Sequence, residues 1–403
     1  MYGSFVSCAN EASAESISSF PIGVWLQSPI RERNGRLNVD NYKDIGVNTF
    51  VGLWRWPDES WAYPGYSIAV AKALKGKGMQ VYAGSDQAAV AWNLANPGLA
   101  FAGYMLGDEA DMNKTSGDPA IAAASNPDAW QKVGDAMASA DPGRLRYANF
   151  GKGFALDPWP GYHIGPGSTK LEDFAKYVGP TTVISSDYYA IIDPYEALNR
   201  HGIWAYGAAV ENTRKFALSR PVWGFVEASA AFSDSNYPAG SRNYISRRML
   251  PQYIYPAVWA MIVHGARGII YFCHDFSNNG MIEDGCLAEP KMAEAMKAAN
   301  TSVQKYADVL LSMESVELQV RVESASPVQV LVRRYRGSTY VFAMGDGSAT
   351  SLGGRATDAN IIVQGGGAQS VSVSLPEESR KLVMSDGKMA DHFEPYQLHI
   401  YKF

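Results

Sequence analysis

Short apolar runs alternate with helix-like stretches along the first three quarters of the chain. Eight of these runs are apolar on both faces, which is typical of buried parallel strands. They cover residues 21–27, 48–54, 79–85, 101–107, 144–151, 181–189, 221–229 and 266–274. Eight strand–helix units in succession predict an α/β fold, a (β/α)8 TIM barrel.

The segments between the strands carry recognisable helix boundaries. Residues 66–78 end on glycine, and residues 126–143 run from a capping asparagine to a Pro-Gly stop. The apolar stretch 246–268 contains two prolines, which predict a break or kink. We interpret residues 199–219 as a scaffold helix whose aromatic side chains pack rather than contact a ligand. A doubly wound sheet is the competing fold, but no Gly-rich phosphate loop follows the first strand.

The pattern changes near residue 313, where apolar and polar residues begin to alternate with a period of two. Gly, Ser and Asp fill the gaps between these runs, as in an antiparallel sheet. The alternation predicts a small C-terminal β-sandwich. We therefore expect a tail or signal remnant at 1–19, a barrel at 20–312 and the sandwich at 313–403.

Composition excludes several classes of protein. The 403 residues are 47% hydrophobic and 19% charged, which is enough for a large core. The net charge is −5 and no long basic run occurs, so binding to nucleic acid is not expected. No stretch of about 18 uninterrupted apolar residues predicts a membrane span. The oligomeric state is left open.

Three cysteines are too few for a disulfide framework. Cys273 and Cys286 are close enough in sequence to close one loop, provided that the compartment is oxidising. The first 18 residues are interpreted as the trimmed end of an export signal or as a remnant unrelated to the fold. If it is an export signal, the expected location is periplasmic or secreted.

Polar and aromatic residues concentrate where the apolar runs end. Active sites of TIM barrels lie at the carboxyl ends of the strands. Solvent-facing turns are polar in any case, which explains part of this set but explains Glu227 poorly, since it lies between Val226 and Ala228. The set consists of Trp25, Gln27, Trp54, Trp56, Asp86, Asp108, Glu109, Asn149, Asp187, Tyr189, Glu227, His274 and Asp275.

Two of these carboxylates suggest a reaction. Glu109 follows the fourth predicted strand and Glu227 ends the seventh, and these strands face each other across the mouth of a barrel. Glycoside hydrolysis needs such a pair, one group to protonate the leaving oxygen and one to attack or to activate water. The alternative is a structural role, in which a carboxylate pairs with a nearby cation such as Arg55.

Other chemistries fit the sequence less well. The six histidines show no His-x-His or His-Glu-x-x-His spacing, so no zinc site is predicted. The Gly-Lys-Gly at 151–153 is too short for a phosphate loop, and no G-x-S-x-G elbow occurs. We interpret His264 as a structural hydrogen-bonding residue, and we expect neither a metal nor a cofactor.

Four stretches in order carry a family resemblance: GYMLGDEADM (103–112), VISSDYY (183–189), RPVWGFVEAS (220–229) and HGARGIIYFCHDF (264–276). They resemble a bacterial group of barrel proteins regarded from sequence as glycoside hydrolases. That group carries a GDEPD motif, a D-x-YP strand end, a Glu after PVW and an HGARG-x-x-YF motif. The resemblance covers residues 20 to about 310 and extends more distantly to the clan A glycosidases.

The resemblance implies a carbohydrate substrate and a retaining double displacement. Clan A enzymes keep the acid/base Glu on strand four and the nucleophile Glu on strand seven, which would be Glu109 and Glu227. We expect the substrate to be bound by Asp108, Asp187, Tyr189, Trp54, Trp56, Trp25, Asn149 and His274.

The chain departs from the family pattern beside the acid/base position. Asp108 stands where Asn is usual, and Ala110 stands where Pro is usual. An Asp-Glu pair also occurs in hexosaminidases that use the acetamido group of the substrate as the nucleophile. Such a substrate-assisted hydrolase, with Asp108 and Glu109 as the working pair, is one alternative. A carbohydrate-binding barrel without activity is another.

Overall fold

The computed structural model describes residues 19–54, 65–84, 87–96, 101–113, 123, 125–156, 171–194, 202–237, 245–277, 280–345, 352–365 and 370–403. Eight parallel strands close into a barrel in chain order, and the eighth pairs with the first. The predicted TIM barrel is thus confirmed. Its strands are β1 (Ile22–Gln27), β2 (Thr49–Leu53), β3 (Gln80–Gly84), β4 (Phe101–Asp108), β5 (Leu145–Phe150), β6 (Val183–Ser186), β7 (Val222–Glu227) and β8 (Ile269–Phe272).

Alternate side chains of β7 point into the barrel. Trp223 points into the barrel, where its ring lies 5.3 Å from that of Tyr82. Phe225 also points inward, 5.4 Å from the ring of Trp25. The residues between them face the surrounding helices, as the period of two requires. Glu227 is the next inward position, so β7 delivers its carboxyl group to the mouth of the barrel.

Helices surround the barrel and cover its outer face. The predicted break in residues 246–268 is present: a 3₁₀ turn at Pro251–Tyr253 precedes a helix in which every residue but Tyr255 is buried. The predicted helix cap at Asn126 is also formed, since its side chain accepts a hydrogen bond from the backbone of Asp128. The described helices are α1 (Asn38–Asp44), α2 (Gly65–Leu74), α3 (Gln87–Ala95), α4 (Ala110–Asn113), α5 (Pro127–Ala140), α6 (Lys152–Ala155), α7 (Leu171–Val178), α8 (Ile203–Phe216), α9 (Ile254–Val263), α10 (Gly285–Ala288), α11 (Pro290–Lys305) and α12 (Ala307–Leu311). None of these helices is long and apolar enough to cross a membrane.

The C-terminal strands form two antiparallel sheets around a core of their own, as predicted. One sheet has the order β9-β12-β15 and the other has the order β10-β11-β16-β13-β14. The sandwich rests on the barrel through α9, where the rings of Trp259 and Phe342 stack 5.8 Å apart. Its strands are β9 (Gln319–Ser324), β10 (Val328–Tyr335), β11 (Ser338–Gly345), β12 (Thr357–Gln364), β13 (Val371–Leu375), β14 (Arg380–Met384), β15 (Lys388–Phe393) and β16 (Leu398–Lys402).

A disulfide bond closes the segment after β8. Cys273 and Cys286 are both fully buried and their sulfur atoms are bonded, which confirms the proposed bridge. The bridge fixes the start of α10 to the carboxyl end of β8. It therefore restrains one side of the barrel mouth.

We expect protein purified without reductant to contain one free thiol per chain, because Cys8 is the remaining cysteine. Cys286→Ala should lower the free energy of unfolding by about 2–4 kcal/mol, since the bridge restricts the unfolded chain. Thiol counting in denaturant and chemical denaturation test both statements. Cys8→Ser is the control and should leave the free energy of unfolding unchanged. Three free thiols in the unreduced protein would contradict the bridge.

Candidate active site

The carboxyl ends of β4, β5 and β6 are joined by one asparagine side chain. Asn149 donates from Nδ2 to Oδ1 of Asp108 at 2.9 Å and to Oδ1 of Asp187 at 2.8 Å. Its Oδ1 accepts a hydrogen bond from Ser185 Oγ at 2.6 Å. In the sheet, Asp108 is paired with Asn149 and Asn149 with Ser185, so these residues occupy adjacent positions at one edge. Asn149 therefore holds two carboxyl groups at a fixed spacing in the mouth.

Glu109 lies on a backbone turn that ends β4 and starts α4. Its φ of +46° is in the left-handed region, which is uncommon for glutamate and costs about 1 kcal/mol or more. The backbone N–H of Glu109 donates to the carbonyl of Asn149 at 2.9 Å, which holds the turn in place. The strained turn sets the side chain of Glu109 beside Asp108. Such strain is typical of functional sites.

Loss of hydration raises the pKa of every carboxyl group in this part of the mouth. Burial, the charge of Asp108 and that of Asp111 raise the pKa of Glu109 to about 8. Burial also raises the pKa of Asp111 to about 7. Asp108 is more open to solvent, but the protein around it still raises its pKa to about 6. Burial, then Glu109 and Asp108, hold the pKa of Asp187 well above its usual range. Glu109 therefore keeps its proton near neutral pH, whereas Asp108 is mostly ionised.

Glu227 is enclosed completely by the protein. Its side chain has no exposed surface, and Oε1 accepts a hydrogen bond from the hydroxyl of Tyr206 at 2.7 Å. Among the described residues, Oε2 has no hydrogen-bond partner. Burial raises the pKa of Glu227 to about 8, against the opposing effect of the Tyr206 hydrogen bond. A buried oxygen without a partner is costly.

The phenol of Tyr189 links the two sets of carboxyl groups. Its ring packs against Phe272, at 5.3 Å between centroids, and against Phe225 at 6.1 Å. Burial raises the pKa of Tyr189 well above its usual value, and Asp187, Glu109, Asp108 and Glu227 raise it further. The phenol therefore lies within electrostatic reach of both candidate catalytic carboxyls. It stays protonated and can act as a hydrogen-bond donor.

A histidine and a tryptophan meet at the ends of β8 and β2. The ring of His274 lies 5.5 Å from that of Trp54 in an edge-on arrangement. His274 is 3% exposed, and neither ring nitrogen has a hydrogen-bond partner among the described residues. Burial lowers the pKa of His274 to about 4, so the imidazole is neutral. A neutral imidazole offers one donor and one acceptor, which suits the hydroxyl groups of a sugar.

Two residues from the predicted set pack into the protein instead of facing the mouth. Trp25 is 2% exposed inside the barrel, where packing alone accounts for it, and its contact with substrate stays a prediction. Gln27 is turned away because Leu26 has a φ of +46°, which interrupts the alternation of β1. Its amide donates to the carbonyl of Glu283 at 2.9 Å. Trp56, Asp86 and the alternative partner Arg55 lie outside the described residues.

The scaffold helix adds one polar contact to the site. The aromatic residues of 199–219 were expected to pack rather than contact a ligand, and Tyr206 on α8 is buried but also donates its hydroxyl to Glu227. The sequence contains no signal for this contact, because α8 and β7 are brought together only by the barrel. Trp204 does pack, at 4.7 Å from the ring of His264. His264 has the expected structural role, with Nδ1 at 2.8 Å from Glu211.

Further polar residues of the site follow strand ends but were not singled out. Asp111 accepts a hydrogen bond from the backbone of Gly151 at 3.0 Å. Lys152 and Asp193 form an ion pair in which both side chains are buried. All three lie a few residues beyond a strand end, so inspection of the strand ends alone does not reach them. Within the described part of the chain, no group of three or more His, Cys, Asp or Glu side chains is arranged to hold a metal ion.

Comparisons with known proteins identify the fold. Neither a protein-family model nor a curated protein matches the sequence. The chain superposes on the crystal structure of an α-amylase from Geobacillus thermoleovorans in complex with acarbose, with a TM-score of 0.53 and 11% identity. This match covers 95% of this chain and 98% of that one. An Anoxybacillus α-amylase matches with a TM-score of 0.51 and 10% identity, over 95% and 97% of the two chains. At this identity, the similarity shows a shared barrel-and-sandwich fold.

We expect the folded protein to lose stability as the pH rises from about 4 to about 8. Folded-state pKa values of about 8 for Glu109 and Glu227 exceed the ordinary value of 4.5, so the folded chain keeps protons that the unfolded chain releases in this window. Each unit of difference corresponds to about 1.4 kcal/mol. Glu227→Gln should make the pH dependence of the free energy of unfolding less steep.

Urea denaturation at intervals across this pH range measures the effect. Glu294→Gln, which replaces an exposed glutamate on α11, is the matched control and should follow the wild-type curve. Equal slopes for Glu227→Gln and wild type from pH 5 to pH 8 would contradict the raised pKa of Glu227.

Proposed function

We propose that the protein is a glycoside hydrolase that cleaves a glycosidic bond of an oligo- or polysaccharide by a retaining double displacement. One observation carries the proposal. In the closed barrel, Glu109 follows directly after β4 and Glu227 is the last residue of β7, so both carboxyl groups come from the same, carboxyl-terminal end of the barrel. Two carboxyls on opposite sides of one barrel mouth are the arrangement that this hydrolysis requires. The likeness to two amylases supports the barrel on which the proposal depends, and the roles rest on the site itself.

Glu109 is the proposed general acid/base. Burial and the neighbouring charges of Asp108 and Asp111 keep it protonated at neutral pH, which a general acid needs before the first step. It gives this proton to the leaving oxygen and takes one from water in the second step. Asp108, held by Asn149, either orients Glu109 or binds a substrate hydroxyl.

Glu227 is the proposed nucleophile. It must lose its proton to attack the anomeric carbon, and the hydrogen bond from Tyr206 favours the ionised form. Its own pKa of about 8 means that the free site holds a proton on each of the two carboxyls near neutrality. Rates should therefore be highest near pH 8, where a substantial share of the molecules has one of the two carboxyls ionised and the other protonated.

The sugar is proposed to lie between this pair and the aromatic side of the mouth. Trp54 offers an indole for the sugar face, and neutral His274 offers hydrogen bonds to hydroxyl groups. Asp187 and Tyr189 would bind further hydroxyls, and Trp56 remains a proposed part of the same surface. The bridge between Cys273 and Cys286 favours an oxidising compartment, and we therefore propose a periplasmic or secreted location.

The second candidate is the substrate-assisted hydrolase, and one observation favours it. Glu227 is completely buried and has a raised pKa, which is unfavourable for a group that must attack as a carboxylate. Asp108 has the lower pKa of the adjacent pair, about 6, and could hold an acetamido group while Glu109 protonates the leaving oxygen. This reaction requires a 2-acetamido sugar, whereas the double displacement does not.

We expect Glu227→Gln to abolish nearly all turnover of aryl glycosides and polysaccharides while leaving sugar binding within a few fold of wild type. A panel of substrates, with binding measured by calorimetry, provides the test, and Glu294→Gln is the control for general effects. If activity survives Glu227→Gln but not Asp108→Asn, and only 2-acetamido sugars react, the substrate-assisted candidate is correct. Binding without turnover of any glycan would instead indicate a carbohydrate-binding protein.

We expect Glu109→Gln to slow substrates with poor leaving groups far more than activated aryl glycosides, because only the former need the proton. In the same variant, the alkaline limb of the pH profile of kcat/KM should disappear. The carboxyl groups should lie about 5–5.5 Å apart in a complex with a substrate analogue. NMR of the first-formed product anomer checks the mechanism, and inversion would exclude it.

A further inference from the structure

A buried ion pair lies beside the candidate carboxyls and joins two segments of the barrel mouth. Lys152 is the first residue of α6, directly after β5, and its Nζ pairs with Oδ2 of Asp193 in the segment after β6. The side chains are 7% and 0% exposed. Removing two charges from water costs about as much as their attraction returns, so a pair this deeply buried contributes little net stability. Its position points to a role in the chemistry of the site.

The segment that carries Asp193 also carries residues of the site. Asp187 and Tyr189 lie on it, and a turn is closed where the backbone N–H of Asp193 donates to the carbonyl of Tyr189 at 3.0 Å. The hydroxyl of Tyr237 donates to the carbonyl of Ile192 at 2.6 Å and holds the turn from the other side. The backbone of Ile191, within this turn, hydrogen-bonds to the carboxyl group of Glu227, so the turn that carries Asp193 adjoins that carboxyl.

We propose that Lys152 and Asp193 are positioning residues that set the protonation of the two candidate catalytic carboxyls, Lys152 acting on Glu109 and Asp193 acting on Glu227. The inference rests on the proposed function for the roles of the two glutamates. It does not depend on which sugar is cleaved.

The charged groups around each glutamate determine whether its pKa rises or falls. Glu109 is faced by Asp108 and Asp111, which raise its pKa, and by Lys152, which lowers it. Asp187 from β6 and the phenol of Tyr189 also lie within electrostatic reach of Glu109.

Around Glu227, the hydroxyl of Tyr206 lowers the pKa and the charge of Asp193 raises it, and Tyr189 is a further neighbour. Lys152 thus lowers the pKa of Glu109, whereas Asp193 raises the pKa of Glu227. The ion pair keeps the two pKa values close together.

Removing either charge should shift the pKa values of both glutamates in the same direction. The two substitutions should shift them in opposite directions. In Asp193→Asn, Glu227 loses a negative neighbour and Asp193 no longer offsets the charge of Lys152 near Glu109, so the pKa values of both glutamates should fall by about 1 pH unit. In Lys152→Met, Glu109 loses its cation and Asp193 is left beside Glu227, so both should rise by about 1 pH unit. Lys152→Arg keeps the charge and should leave both titrations in place.

The readout is infrared difference titration of the carboxyl bands in protein labelled at glutamate, with Glu109→Gln and Glu227→Gln assigning the two bands. Asp141→Asn is the matched control, since Asp141 is a buried aspartate hydrogen-bonded to Tyr104 before β5, at the opposite end of the barrel. A purely structural ion pair would give unmoved titrations in folded Asp193→Asn, and that result overturns the inference. Asp193→Asn decides the question even if Lys152→Met fails to fold.

The pH profile of kcat/KM separates this inference from the proposed function. Both limbs of the profile should shift to lower pH in Asp193→Asn and to higher pH in Lys152→Met. The shifts should equal those of the two glutamate pKa values. Shifted titrations without turnover of any glycoside would refute the proposed function and keep the role of the pair. Turnover with unshifted titrations and limbs would refute the role of the pair and keep the function.

Discussion

The loss of hydration around carboxyl groups at the mouth of the barrel is the constraint on which the rest of the site depends. Each of these acids would be ionised in water, and each is placed where ionisation is opposed by burial and by its neighbours. The protein offsets this cost with a small number of polar contacts. Asn149 donates to Asp108 and Asp187, Tyr206 donates to Glu227, and the ammonium group of Lys152 lies within reach of Glu109.

The barrel provides these contacts because its strands pair side by side around a closed circle. Asp108, Asn149 and Ser185 occupy paired positions on three adjacent strands, so their side chains meet at one edge without any loop to position them. The inward alternation of β7 then brings Glu227 to the same edge from the other side. A rigid sheet therefore carries most of the site, and the left-handed turn at Glu109 supplies the one reorientation that the strands cannot.

The same framework gives the two candidate glutamates similar pKa values for different physical reasons. Glu109 owes its raised pKa to burial together with two acidic neighbours, so its protonation depends on their charges. Glu227 owes its raised pKa chiefly to complete enclosure, and a hydrogen bond from Tyr206 works against it. A substrate that displaces water or approaches Oε2 would change the second environment more than the first. Two acids of one residue type can thus serve separate tasks.

The sequence alone was sufficient for the barrel, the sandwich and the identity of the acids at the strand ends, because burial on both faces, the period of two and strand-end position are local features of the chain. It also indicated the bridge between Cys273 and Cys286. It could not indicate that Tyr206 reaches Glu227, that Leu26 turns Gln27 away, or that Lys152 pairs with Asp193. Each of these depends on which segments the closed barrel brings together. Protonation likewise belongs to the tertiary structure, since a pKa is determined by burial and by charges distant in sequence.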